Sequence, residues 1–358
     1  MTPNDIARAR LGNLGFVPGG MEDAARAVAR LGAAQAQDYR SALWSLGARL
    51  GGGTEASVEA ALSERHAVRT WLFRGTLHLV AAEDLRWMRA LIADRLVAGS
   101  RLRRERLGLD DADFALSRKV LVAALGGGRA LNRDAILAKF QEAGLSVADS
   151  RGYHLIWRAA NDGVICQGPP NGTEQDFVLL DEWVPEGRDL AGEEARAELA
   201  LRYFSSHGPA TLQDFVGWTD LTVREARAGI AAVADALERI DCEGREYWSR
   251  PSPSAQAAPG ADGILLLPGF DEFMLGYKDR TAALEEAFAD RICPGNNGVF
   301  APTVVSGGRV IGTWKRDIRK KTVKVTAAPF RSFDEAERAG IAEAAARYAR
   351  FLGLELIR

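Results

Sequence analysis

The stretch EEARAELALRYFSSHGPATLQDFVGWTDLTVREARAGIAAVADALERIDCEGREYWSR, residues 193–250, decides the fold. Ala197, Leu201 and Phe204 fall on helical spacing, and the run stops at His207-Gly208-Pro209, where a flexible residue and a helix-breaking ring stand together. Thr211 stands where an N-cap is needed, ahead of a short helix, LQDFVGW. After a turn, Thr222 opens a third helix with apolar positions at Ala226, Ile230 and Val233 or Ala234. The alternating segment LERIDCEGREYW, broken by Glu243-Gly244, then predicts a β-hairpin. Helix, helix, turn, helix and hairpin together describe a winged helix-turn-helix.

The same order recurs upstream. Residues 115–124 and 132–143 read as helices, Ser150 is placed to cap a third through Tyr153 and Trp157, and GVICQGPPNGTEQDFVLL reads as two strands around a Pro/Gly/Asn-rich wing. A fainter copy comes first: MEDAARAVARLGA, RSALWSLGARL and TEASVEAALSE, then the strands AVRTWLF and GTLHLVA. Past Pro251, PSPSAQAAPGADG has linker composition. ILLLPGFDEFMLGY, VFAPTVVSGGRVIGTW and KKTVKVTAAPF follow as short strands, and an amphipathic helix from Asp334 to about Leu352 closes the chain. The expected fold is α+β: three tandem winged helix-turn-helix units (1–108, 109–190 and 191–250), a linker (251–262), and a small β-rich C-terminal domain with a terminal helix (263–358).

A chain of 358 residues has room for several cores, and 26% charged residues with a net charge of −2 leave any basic surface local. Three scattered cysteines, Cys166, Cys242 and Cys293, argue against a disulfide framework and for a reducing, cytoplasmic setting. His66, His78, His154 and His207 show no metal spacing, and neither a phosphate loop nor a dinucleotide fingerprint is present, so no metal or cofactor is expected. No apolar run reaches the ~18 residues of a membrane span, and the N-terminus lacks the apolar core of a signal peptide.

A winged helix ordinarily presents its third helix to the major groove. Here the third helix of the last unit carries only Arg224 and Arg227 as cations, with Glu225 between them, which makes a poor groove reader. Two basic clusters lie elsewhere: Arg101, Arg103, Arg104 and Arg106 in SRLRRERLG, and Lys315, Arg316, Arg319, Lys320, Lys321 and Lys324 in TWKRDIRKKTVKV. Each is either a solvated face or a patch that binds phosphates without reading bases.

One short stretch stands out, AAQAQDYRSALWSL, in which Gln35 and Gln37 bracket Ala36 amid small apolar residues. Amides donate and accept hydrogen bonds but do not titrate, so the pair is either structural or part of a site that needs no strong base. QAQDYRSALWSLGARL, VRTWLFRGTLHLVAAEDLRW, LLLPGFDEFMLGYKDR and NGVFAPTVVSGGRVIGTWKR resemble, in that order and over nearly the whole chain, the AlkZ/YcaQ-type DNA glycosylases. The resemblance implies three tandem winged helices with a β-rich C-terminal portion. It also implies excision of alkylated bases from double-stranded DNA, including, in some members, the unhooking of interstrand crosslinks. The signature that resembles Q-x-Q in the family's AlkZ branch and Q-x-D in its YcaQ branch falls on Gln35-Ala36-Gln37, which places the chain with the AlkZ branch and implies Gln35 and Gln37 as the catalytic residues.

That signature has a chemical rationale. A purine alkylated at a ring nitrogen such as N7 already carries positive charge and leaves without a general acid. The sugar gains oxocarbenium character and needs a positioned water, which two amides can orient while their carbonyl dipoles stabilise the charge. A neutral base would need protonation, which an amide cannot supply. Side chains two apart share a face in an extended segment but diverge by about 200° on a helix, so such a site requires the chain to leave helical geometry around Gln35.

The remaining candidates have two readings each. Asp38 is either the true base or an N-cap for the helix through Trp44. Arg69, Trp71 and Phe73 alternate with Thr70, Leu72 and Arg74, so one face of that strand is expected to be wet, with Arg69 and Arg74 as phosphate contacts. His78, between Leu77 and Leu79, reads as a core-edge histidine or a supporting group. Asp271 and Glu272, flanked by Phe270 and Phe273, either polarise the site or cap a loop. No lysine occurs in residues 1–108, in keeping with a monofunctional hydrolase that uses no Schiff base; a monomer is expected. The alternative from another class is a non-enzymatic winged-helix DNA-binding protein, a regulator or an architectural binder.

Overall fold

A computed structural model describes residues 1–172, 174–252 and 263–357. The expected linker, 251–262, falls almost wholly outside them. The chain forms two compact units, residues 1–59 with 196–358, and residues 60–195.

In chain order the elements begin with helix α1 (Pro3–Asn13), helix α2 (Ala24–Leu31), the extended segment β1 (Ala33–Gln35), helix α3 (Tyr39–Gly47) and helix α4 (Glu55–Ser63). α1 is absent from the sequence reading, although its start is written in the chain. Thr2 and Asp5 exchange hydrogen bonds as a capping box, and Pro3 occupies the first turn. The buried Arg10 of α1 donates through Nε to the Pro209 carbonyl (2.9 Å) and lies 3.7 Å from the Tyr277 ring centre. Asn13 Nδ2 donates to the Gly208 carbonyl at 2.9 Å, and Arg30 Nε to the Asn13 carbonyl at 2.9 Å. α1 therefore ties α2 to the segment around residue 208.

The second unit contains strands β2 (Ala67–Trp71) and β3 (Leu77–Ala81) and helices α5 (Ala82–Gly99), α6 (Arg101–Arg106), α7 (Asp111–Leu125), α8 (Arg133–Glu142) and α9 (Arg151–Asn161). The hairpin β4 (Ile165–Asn171) and β5 (Glu174–Leu179) and the single turn α10 (Leu180–Trp183) follow. Its strands run in the order β3-β2-β4-β5, all antiparallel. Trp71 stacks on Phe177 at 6.3 Å in a core with Leu121, Phe140, Ile156 and Trp157. Asn132 caps α8 as its sequence position suggests. Ser150 precedes α9 but sits in the left-handed region (φ 73°) and makes no side-chain cap, which corrects the expected role.

The first unit resumes with α11 (Gly192–Ser206), α12 (Leu212–Thr219), α13 (Val223–Ala232) and the hairpin β6 (Glu238–Cys242) and β7 (Arg245–Ser249). Thr211 and Thr222 both cap with capping boxes, and Glu243 and Gly244 both take positive φ, the backbone of a two-residue hairpin turn. The buried face of α11 is Ala195, Leu199, Ala200, Tyr203 and Phe204, displaced from the expected Ala197 and Leu201 because the aromatic pair sets the helix's rotation.

β8 (Ile264–Leu267) precedes helix α14 (Glu272–Leu275), which replaces the strand expected over FDEFML because Asp271 caps it. β9 (Thr303–Ser306), β10 (Arg309–Ile318), β11 (Thr322–Pro329), helix α15 (Glu335–Leu352) and β12 (Glu355–Ile357) complete the chain. The C-terminal sheet has the order β12-β11-β10-β9-β8, with β12 added in parallel. The fold is α+β with a C-terminal β-sheet.

Removing Arg49 should show how far the first unit leans on one ion pair. Arg49 and Asp271 are both buried and bonded at 2.8 and 3.0 Å, so Arg49→Ala strands a buried carboxylate and is expected to cost about 3–5 kcal/mol. Glu22→Ala, which breaks the exposed pair with Arg26, should leave Tm unchanged. Thermal denaturation of both variants checks the contrast; equal shifts would remove the pair from this role.

Candidate active site

α2 ends at Gly32, whose φ of +76° an L side chain adopts only with strain, and Ala33–Gln35 is extended. Helical geometry does not resume until Tyr39. The helical course that would hold the two amides apart is therefore absent. Gln35 is buried, whereas Gln37 and Asp38 are exposed. Asp38 is the N-cap of α3, accepting the Ser41 N–H at 2.6 Å, and it also meets Arg316 Nη2 at 3.2 Å. Partial burial pushes its pKa up, but the Ser41 hydrogen bonds and Arg316 outweigh this and hold it below the ordinary carboxylate value. A carboxylate so committed is a weak base.

The Gln35 backbone N–H donates to Glu272 Oε1 at 2.9 Å. Trp218 Nε1 donates to Oε2 at 2.9 Å, and His207 Nε2 lies 3.2 Å from the same oxygen. Burial lowers the His207 pKa, against the pull of Glu272, so the ring is neutral and donates from Nε2. Its Nδ1 is 2.8 Å from the Ser206 hydroxyl, and its face stacks on Tyr203 at 4.7 Å. Gly276 admits this ring, because a Cβ there would sit 2.7 Å from His207 Cδ2. Beside Glu272, Asp271 caps α14 through the Phe273 N–H, accepts the Ser45 hydroxyl at 2.7 Å, and takes Arg49 bidentately.

The second unit holds its candidates differently. β2 is buried along its whole length, so the expected wet face does not exist. Arg69 is buried and donates to Gln167 Oε1 at 2.7 Å, because β4 covers β2 at that register, Arg69 opposite Gln167. The strand ends at Trp71, and Arg74 lies in a turn with φ 58°, its Nη2 3.2 Å from His78 Nε2. His78 is fully buried, with Nδ1 2.9 Å from the Thr76 carbonyl. Arg101 pairs with Glu105, Arg103 is exposed, and Arg104 lies across Phe114 at 5.8 Å.

On the β10–β11 hairpin, Lys315, Lys320, Lys321 and Lys324 are exposed and carry no ion pair among the described residues. Arg319 meets Asp317 at 3.5 Å, and Arg316 points to the opposite face, toward Asp38 and Tyr348. No group of three or more His, Cys, Asp or Glu among the described residues is placed to hold a metal ion, and no described helix is long and apolar enough to cross a membrane.

Residues 28–351 match the family described as DNA glycosylase AlkZ-like. The chain belongs to that family. It is a DNA glycosylase, which decides for an enzyme over a non-catalytic regulator. An interstrand DNA cross-link repair glycosylase of Streptomyces sahachiroi is 28% identical over 322 residues, covering 80% of this chain and 81% of the relative. The solved structure of the Streptomyces sahachiroi DNA glycosylase AlkZ superposes with a TM-score of 0.80 at 24% identity over all of both chains, a likeness of fold.

Four residues around the Gln-x-Gln segment of the glycosylase went unread in the sequence: His207, Trp218, Arg49 and Ser45. In the sequence His207 marks a helix stop and lacks metal spacing, and Trp218 merely ends the short helix LQDFVGW. Their polar atoms were the available signal, since a buried indole N–H or imidazole needs a partner.

The neutral buried His207 makes stability depend on pH. The unfolded ring titrates near ~6.5, the native ring lower, so the unfolded state binds the extra proton first. Stability is therefore fully present above that value and is lost as pH falls below it. Denaturant titrations of wild type and His207→Gln between about pH 7.5 and 5 should show the steeper acid loss in wild type; parallel curves would refute a buried neutral imidazole.

Proposed function

We propose that this glycosylase hydrolyses the N-glycosidic bond of cationic N-alkylated purines in double-stranded DNA, N7-alkylguanine among them, with water positioned by Gln35 and Gln37. The observation that carries this reading is the state of the neighbouring carboxylates. Asp38 caps α3 and pairs with Arg316, Asp271 is bound to Arg49, and Glu272 is buried on the Gln35 N–H. Each of these three is committed elsewhere and not poised to protonate a departing base, which accords with a base that brings its own positive charge. In the balanced step, water oxygen bonds to C1′ as the C1′–N9 bond breaks. N9 keeps the electron pair, which neutralises the purine, and the water proton passes to solvent. The amide carbonyls orient the water and face the developing oxocarbenium.

A cross-link repair relative at 28% identity supports extending the substrate to bulky adducts and interstrand crosslinks. Such lesions do not suit a closed base-flipping pocket and favour an open site. Helices followed by a hairpin at 111–179 and 192–249, and in fainter form before residue 81, support three winged-helix units. On that reading the exposed lysines of the β10–β11 hairpin, with Arg101 and Arg103, contact phosphates. Arg69 does not, and Arg316 is occupied by Asp38. The enzyme acts as a monomer in a reducing cytoplasm, in keeping with three buried free cysteines.

Release of free 7-methylguanine from methylated duplex DNA tests the reaction. Wild type should release it in the presence of chelator and without borohydride-trapped adduct. Gln35→Ala and Gln37→Ala should each lower single-turnover release by about 10²–10³-fold with DNA binding retained. Full activity in both variants would return the amides to a structural role. Replacing Lys315, Lys320 and Lys321 together by alanine should flatten the slope of log K against log salt by about 0.9 per lost phosphate contact. An unchanged slope would place DNA elsewhere.

A further inference from the structure

We propose that Glu272 is a positioning residue for base excision: by gripping the Gln35 N–H, its carboxylate sets where the Gln35 side chain stands. This rests on the reading that Gln35 orients the attacking water. The extended run Ala33–Gln35 is three residues long, entered through left-handed Gly32 and left through a bend. One hold on it comes from 237 residues away, as Glu272 Oε1 takes the Gln35 N–H at 2.9 Å.

Glu272 is in turn immobilised. Trp218 and His207 donate to its other oxygen, and Tyr203 stacks on His207. Its backbone opens α14, whose cap Asp271 is locked to Arg49. A backbone carbonyl would satisfy one N–H without burying a charge. A carboxylate accepts all three donors at once and bonds to each more strongly than a neutral acceptor does. Rigidity of this kind matters where a displacement of about 1 Å in a positioning group costs on the order of 10²-fold in rate.

The test pairs Glu272→Gln with Gln35→Ala on a duplex containing a single N7-methylguanine. The glutamine keeps the size but turns an N–H toward one of the three donors. Single-turnover release with saturating enzyme, well below Tm, should fall by about 10–10²-fold in Glu272→Gln with the duplex Kd unchanged. In the Gln35→Ala background the same substitution should cost nothing further in rate, while Tm falls in both backgrounds. Hydrogen exchange of a peptide spanning residues 33–38 should accelerate in Glu272→Gln. Should that variant not accumulate as folded protein, Trp218→Phe removes one donor, keeps the aromatic bulk, and gives the same pattern at smaller amplitude.

A wild-type rate per folded molecule, rate losses that multiply in the double variant, or unchanged exchange at 33–38 would each overturn the proposal. Failure of the underlying reading looks different: Gln35→Ala alone would then release 7-methylguanine at the wild-type rate.

Discussion

Two adjacent carboxylates, Asp271 and Glu272, are buried at the start of a one-turn helix, and the first unit is arranged around making that tolerable. Desolvating a carboxylate costs several kcal/mol unless every lone pair finds a donor. Asp271 is answered by Arg49, Ser45 and the Phe273 N–H, and Glu272 by Trp218, His207 and the Gln35 N–H. Apart from the Phe273 N–H, those donors come from α3 and the residues just past it, the end of α11, α12 and β1, so satisfying two side chains ties four parts of the chain to α14. The same requirement explains why Gly276 cannot carry a side chain, while burial, against the pull of Glu272, keeps the ring of His207 neutral.

The parts of this arrangement that were legible in the sequence are those governed by local chemistry. Thr211, Thr222, Asn132 and Asp334 announce helix starts because a cap bonds to an N–H three residues on, within reach of a sequence window. Glu243-Gly244 announces a hairpin for the same reason. The Gln-x-Gln motif was visible as an anomaly of polarity. What was not legible depended on distant chain: Arg69 alternates as a surface residue should, yet β4 covers it; Ser150 has a capping side chain but a backbone that does not cap. Asp271 and Glu272 read in the sequence as either capping or polarising; Asp271 is the cap, and Glu272 accepts the Gln35 N–H. Apart from the Phe273 N–H, their nearest partners are Trp218 and His207, 54 and 65 residues away; Arg49, Ser45 and Gln35 are 222, 226 and 237 residues distant, beyond any pattern in one sequence.

The chemistry proposed for the Gln pair and the burial of the carboxylates have a common logic. A carboxylate in direct contact with an oxocarbenium can add to it, and a protonated one can serve as acid for any purine, damaged or not. Amides do neither. On the proposed reading, setting Glu272 behind the peptide at Gln35 lets an anion stiffen the site without touching the sugar, and tying Asp38 to Ser41 and Arg316 withdraws that carboxylate from proton transfer. On this reading selectivity for cationic bases needs no pocket shaped to the adduct. It follows from withholding the proton that an undamaged base would require to leave, which is also the form of selectivity that an adduct too large for any pocket would demand.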